Sequence, residues 1–185
     1  MNPKLAERRN RQAGFTLIEL VIATALGLLV LGAIASVVVT TTIADNTARA
    51  RIEASGQVGS FQAFADDDFA LARPPAPSGC GTSVSPCTTQ DLVLQGSRVP
   101  NVTGGAPAPY LVRYGWDPGQ QQVTRYTGAS SVVVASNVTA YSWYVDRSGG
   151  KPTVVVRITV TIVTYNATYS QSQTFLFSPR ITTSQ

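Results

Sequence analysis

The 185-residue chain has no histidine, two cysteines, one methionine and only 13% charged residues. Without histidine it lacks the side chain that most often serves as a general base near neutral pH and as a metal ligand. Acids are sparse in the C-terminal half, where Asp91, Asp117 and Asp146 stand apart. The last two fall in turn sequences, which aspartate favours for its own hydrogen bonds. No G-x-S-x-G, phosphate-binding loop or paired-carboxylate constellation is present. No enzymatic activity, metal or cofactor is expected, and the chain reads better as a substrate of enzymes. The net charge of +4 misleads. Lys4, Arg8, Arg9 and Arg11 lie in the first fourteen residues against Glu7 alone, so the remainder is nearly neutral. Arg98, Arg113, Arg125, Arg147, Lys151 and Arg157 are scattered and read as solvated faces. They form no basic stripe, so charge does not support a nucleic-acid partner.

What the chain has instead is one long apolar run. From Phe15 to Ala44 a single charge occurs, Glu19. A helix of that length spans ~45 Å, and ~20 apolar residues suffice to cross a bilayer. The basic flank before the run leaves residues 1–14 in the cytoplasm and sends everything after Ala44 outward. A carboxylate five residues into such a run is costly in hydrocarbon and calls for a partner. Cutting the chain after Gly14 would supply one, a free α-amine on Phe15. That amine could pair with Glu19 of the same helix or with Glu19 of a staggered neighbour. A buried pair need not add net stability, but leaving one member unpaired is expensive, so the pair acts mainly as a register device. Two plainer readings remain beside this one: an ordinary single-span anchor, or a secretory signal cut after Ala35 at Ala33-Ile34-Ala35. Neither accounts for Glu19 or for the Gly14–Phe15 junction.

The segment Gly14-Phe15-Thr16-Leu17-Ile18-Glu19-Leu20, after a short basic leader, resembles the cleavage and methylation motif of type IV prepilins and type II secretion pseudopilins. The resemblance is specific over about residues 8–42 and only architectural beyond. It implies cleavage after Gly14 and N-methylation of Phe15 by a prepilin peptidase/methyltransferase. It assigns Glu19 to the alignment of neighbouring subunits in a filament. It also implies other pilin or pseudopilin subunits, an inner-membrane platform, an assembly ATPase and the lipid bilayer as partners. The precursor would be a single-pass membrane protein, and the product a cell-surface or periplasmic filament. One departure is the missing proline some twenty residues into the mature chain, where Ala35-Ser36-Val37 stands; Gly27 and Gly32 are weaker kink sites.

Beyond Ala44 the helix should continue. Ile52, Phe61, Phe64, Ala65, Phe69 and Ala72 recur mostly at spacings of three and four, a stripe that can pack on a sheet. Asp66-Asp67-Asp68 matches no calcium loop and reads as a polar helix face. Arg73-Pro74-Pro75 ends the helix, giving about 85 Å from Thr16 to Ala72 if it is continuous. The loop over 74–89 holds Cys80 and Cys87. Two cysteines outside the membrane read as a disulfide, worth ~2–3 kcal/mol for so short a loop.

Strands are expected at 91–94, 110–114, 122–127, 131–135, 139–147, 153–165 and 171–177. Those at 110–114 and 122–127 should form a hairpin across Trp116-Asp117-Pro118-Gly119, and Gly149-Gly150 should turn the chain again. The loop over 96–109, rich in glycine and proline, should be exposed. One helix followed by antiparallel strands is an α+β arrangement with the helix covering one face of the sheet. The divisions are a leader (1–14), a membrane and filament-core helix (15–44), its amphipathic continuation (45–73) and a β-rich head (74–185).

The leading functional reading is a minor pilin or minor pseudopilin. The alternative is a membrane-anchored binding module, an adhesin or DNA-capture surface built from Tyr110, Tyr114, Trp116, Tyr126, Tyr141, Trp143 and Tyr144. Mass spectrometry of the mature N-terminus separates these readings. N-methyl-Phe15 is expected; a terminus at Ser36 or an intact Met1 would exclude the prepilin reading.

Overall fold

The computed structural model describes residues 15–76, 79–98, 108–165 and 167–179. The leader with Gly14, and most of the 96–109 loop, lie outside the described residues. One α-helix, α1, runs Leu17–Leu71 and is unbroken at Gly27, Gly32, Gly56 and Gly59. Eight strands follow: β1 (Ala72–Arg73), β2 (Leu92–Arg98), β3 (Ala108–Asp117), β4 (Gln122–Thr127), β5 (Ser130–Ala135), β6 (Val138–Asp146), β7 (Thr153–Val163) and β8 (Thr168–Phe177). The architecture is α+β, with a long N-terminal apolar helix and antiparallel sheets. All seven expected strands are present; β1, two residues long, was not foreseen.

The chain divides after Ala44 into two compact units. In the first, every described residue of α1 is exposed. In the second, α1 buries Ala50, Ala54, Val58, Phe61, Ala65, Asp68 and Phe69. Their spacings of mostly four and three trace one face of a 3.6-residue helix. Ile52 was expected on that face but is 74% exposed. Two residues beyond Ala50 it points ~200° away from the stripe. Phe64, at the edge of the stripe, is half-covered, and the Arg125 guanidinium lies 5.7 Å from its ring centre. Ring contacts carry the packing: Phe69 stacks on Phe177 at 4.1 Å, and Phe61 meets both Tyr114 and Phe175 at 5.5 Å.

The strands do not make one sheet. They form a five-stranded meander in the order β1-β2-β3-β4-β5 and a three-stranded one, β6-β7-β8. The break falls where Asn137 adopts φ 58° and the β6–β7 register shifts between Val138 and Ala140. A left-handed residue followed by a bulge turns the chain out of the first sheet. Backbone bonds tie the sheets together there, from Val138 N–H to the Gln121 carbonyl (2.8 Å) and from Thr161 N–H to the Asn137 carbonyl (2.9 Å). Val154, Val156, Ile158, Val160 and Ile162 of β7 are buried while Arg157 and Val163 are exposed, the alternation of a strand with one covered face, broken only by Val155, which is buried on the other face. The β3–β4 hairpin forms, but Trp116 and Asp117 belong to β3 and pair with Val123 and Gln122. The Asp117 carboxylate accepts from Gly119 N–H (2.8 Å) and Gln120 N–H (3.1 Å), closing the turn.

The C-terminal end of α1 runs directly into β1, which pairs with β2 through Ala72↔Gly96 and Arg73↔Gln95. Gly96 is required by that approach, since a Cβ there would stand 2.0 Å from the Leu71 carbonyl oxygen. Backbone cannot yield as a flexible side chain can. Gly96→Ala is therefore expected to destabilise the head by at least ~2 kcal/mol, read as a lowered thermal midpoint. Tyr141→Phe makes a contrast. The Tyr141 hydroxyl is buried with no hydrogen-bond partner among the described residues, so its removal should leave the midpoint unchanged or raise it.

Candidate functional site

The candidate site is the uncovered part of α1. Thr16 precedes the helix, and its hydroxyl oxygen accepts from Glu19 N–H at 3.3 Å. Its carbonyl accepts from Glu19 N–H (3.1 Å) and Leu20 N–H (3.2 Å). Thr16-Leu17-Ile18-Glu19 thus has the spacing of a capping box, with Thr16 at the cap and Glu19 three residues in. Glu19 sits in the first helical turn, where unpaired backbone N–H groups and the helix dipole favour an anion. The sequence reading took Glu19 only as an acid awaiting an amine; the T-x-x-E spacing that gives it a second role was there to be read.

Phe15 is 82% exposed and Leu17 83%. Glu19 is exposed and has no side-chain partner among the described residues. The apolar side chains from Leu17 to Ile43 point outward all round the helix. Mean hydropathy reaches 2.5 over an eighteen-residue window, none of it buried. A helix apolar on every side belongs in a protein core or in lipid, and none of the described residues covers this segment. The four threonine hydroxyls from Leu17 to Ile43 are spent on the helix's own backbone. Thr24 donates to the Val21 carbonyl (2.9 Å), Thr40 to Ser36 (2.8 Å), Thr41 to Val37 (2.9 Å) and Thr42 to Val38 (2.8 Å). Such back-bonding removes most of the cost of a hydroxyl away from water.

A second polar centre lies in the head, and it corrects two expectations. Asp66 and Asp67 are exposed as expected, but Asp68 is 1% exposed. Arg125, read as a solvated charge, grips it with two bonds, Nε to Oδ2 at 2.6 Å and a terminal nitrogen to Oδ1 at 2.7 Å. The hydroxyls of Tyr110 and Tyr114 donate to the same carboxylate. Burial, followed by the bond to Asp68, pushes the Tyr110 phenol up to about 12 and the Tyr114 phenol well above its usual range. The cluster pins the last turns of α1 to β3 and β4. Arg113 is likewise engaged, paired with Asp91 at 2.9 Å and lying 4.1 Å over the Tyr126 ring.

The seven aromatic residues proposed as a binding surface do not form one. Tyr114, Tyr141 and Trp143 are buried; Tyr110, Trp116, Tyr126 and Tyr144 are half-buried. Trp116 donates to the Val138 carbonyl (3.1 Å) and Trp143 to that of Gln90 (2.9 Å), so both indoles are structural. Cys80 and Cys87 are joined as a disulfide. Among the described residues no group of three or more His, Cys, Asp or Glu side chains is placed to hold a metal ion.

Residues 9–35 match the family model of the prokaryotic N-terminal methylation motif. No curated protein and no solved structure matches the chain. The matched stretch spans Arg9 and Arg11, the Gly14–Phe15 junction, Glu19 and the uncovered helix as far as Ala35. It indicates a precursor of the type IV pilin/pseudopilin type, for which the motif implies processing by a prepilin peptidase. That motif marks structural rather than catalytic proteins.

The Asp68 cluster generates a mutational prediction and a pH prediction. Asp68→Asn strands the Arg125 charge and is expected to cost the head about 3 kcal/mol, whereas Asp68→Leu with Arg125→Met, Tyr110→Phe and Tyr114→Phe, which strands no hydroxyl, should recover most of it. Chemical denaturation of the two variants checks this. Because Tyr110 holds its proton more tightly in the folded state than its ordinary value of 10.0, its contribution is complete below that pH. It is lost as pH rises towards about 12. Alkaline titration followed by circular dichroism should show unfolding in that window, shifted for Tyr110→Phe.

Proposed function

We propose that the chain is a minor pilin or minor pseudopilin, a structural subunit that waits in the membrane as a precursor and is built into a type IV pilus-like filament. The observation that carries this is the methylation motif at 9–35, which from Leu17 onward lies on a helix whose apolar surface is uncovered as far as Ile43. On this reading residues 1–14 are a cytoplasmic leader removed after Gly14, and Phe15 becomes the methylated terminus. Residues 15–44 cross the bilayer and later form the filament core. Residues 45–73 are the spine of the head, and 74–185 its β-rich body, exported to the outer side.

The physics of the exchange from lipid to filament supports the reading. In both settings the helix keeps apolar surroundings, so apolar burial changes little and polar groups decide register. Thr24, Thr40, Thr41 and Thr42 are already satisfied within the helix. Glu19 is the one side chain of the segment carrying unmet charge. A neighbour's Phe15 amine neutralises it only when the two helices stand at the correct axial offset. A subunit at the extreme tip has no neighbour above to pair with, so a chain that carries Glu19 is expected to be incorporated below the tip. The minor role rests on the missing proline and the long β-rich head. Abundance in sheared filaments checks that role.

Glu19→Ala tests the pairing. Cleavage and membrane insertion should stay intact while recovery in sheared filaments falls. Incorporation equal to that of the unaltered chain would count against Glu19 as the register device.

A further inference from the structure

The two ends of β7 meet turns of opposite character. The turn before it, Arg147 to Lys151, is exposed and positively charged at both of those residues. The turn after it, into β8, carries no charge, yet it leaves Val163 74% and Tyr165 97% exposed. That turn is tightly closed. The Thr164 N–H and hydroxyl both donate to the Ala167 carbonyl at 2.8 Å, and the same hydroxyl oxygen accepts from Ala167 N–H at 3.2 Å.

Contacts along β8 show where this turn lies. Phe177 stacks on Phe69 and Phe175 meets Phe61. The Ser55 hydroxyl donates to the Gln171 side-chain oxygen at 3.1 Å, and the Arg51 guanidinium stands 5.6 Å from the centre of the Tyr169 ring. From Phe69 back to Arg51 the helix covers about 27 Å, and from Phe177 back to Tyr169 the strand covers about 26 Å, so the two run side by side. A further stretch of about 10 Å beyond Tyr169 brings Tyr165 level with the first residues of the second compact unit, Asp45 onward. Asp45 is joined directly to Ala44, the last residue of the apolar run. A run of ~45 Å matches a bilayer counted with its headgroup layers. This end of the second unit is therefore tethered among lipid headgroups, at whatever angle the unit stands.

We infer that the β7–β8 turn is a lipid-contact site, setting Tyr165 and Val163 in the headgroup layer of the bilayer that holds the precursor, with Arg51 at the level of the lipid phosphates. This rests on the membrane-anchored reading and adds a second point of attachment to it. Tyrosine suits that layer because its ring enters apolar surroundings while its hydroxyl stays with water and headgroups. Arg51 is exposed and lies on an aromatic face, which leaves guanidinium N–H groups for phosphate oxygens. The tether selects lipid as the partner, since it holds that surface beside the turn. The charged turn at the other end of β7 is kept away from it. One anchor lets the head swing; two fix the face it presents before assembly, and the second is given up when the subunit leaves the bilayer.

The test uses the full-length chain in vesicles of phosphatidylethanolamine and phosphatidylglycerol. Three variants each add one fluorophore: Tyr165→Trp in this turn, Lys151→Trp in the opposite turn and Leu29→Trp in the apolar run. Emission of the unaltered chain, from Trp116 and Trp143, is subtracted. A phospholipid carrying a nitroxide on its headgroup should remove most of the emission added by Tyr165→Trp and little of that added by Lys151→Trp. Val163→Asp combined with Tyr165→Trp should restore the emission, because a carboxylate resists entering the layer. Equal quenching at the two turns overturns the lipid contact. So does no quenching of Tyr165→Trp while a nitroxide placed mid-chain quenches Leu29→Trp, which leaves the membrane reading standing. Failure to quench Leu29→Trp as well brings the membrane reading down with it. Unquenched, blue-shifted emission from Tyr165→Trp that reverts on lowering the ratio of protein to lipid overturns the proposal in favour of a second copy covering the turn.

Discussion

The apolar side chains from Leu17 to Ile43 cannot remain in water, and nothing in the described chain covers them. At about 25 cal/mol per Å² the penalty for wetting them exceeds the stability of an ordinary domain. An apolar medium outside the described chain must therefore enclose the segment, as a bilayer would for a membrane-anchored precursor. The remaining features follow from this demand. The threonine hydroxyls on the segment turn inward to their own backbone carbonyls, and the lone acid is confined to the first turn, where the helix end itself favours negative charge.

Beyond Ala44 the same helix meets a different demand, and its sequence changes to suit. Small and aromatic residues alternate along one stripe, Ala50, Ala54, Val58, Phe61, Ala65 and Phe69, so that sheets can approach and rings can interlock. Near its end the stripe includes a charge. Asp68 is accommodated because a guanidinium and two phenols converge on it, which satisfies the carboxylate without water. Packing between rings tolerates sliding; a carboxylate held in a fork does not. The cluster gives the helix–sheet interface a single position.

Most of this architecture is legible in the residues. The helix, the seven longer strands and the first hairpin follow from periods of 3.6 and 2 and from turn residues. The methylation motif is legible as a short string of residue types. What escaped depends on partners far apart in sequence. Three consecutive aspartates lie at ~100° intervals around a helix, and nothing local says which one turns inward; Tyr110, Tyr114 and Arg125 decide it from more than forty residues away. Ile52 looks like a core residue until the stripe is fixed by Ala50 and Ala54. The division into two sheets hinges on Asn137 and a one-residue irregularity, which no alternation of side chains announces.

The junction at Leu71 and Ala72 has a mechanical side. Helix becomes strand there with no residue between to serve as a swivel, and Gly96 lets the opposite strand close on the turn. A twist of the last helical turn is handed straight to the border of the five-stranded sheet. Within the second compact unit, a turn of the helix end about its axis would reach the sheet border with no swivel residue to absorb it.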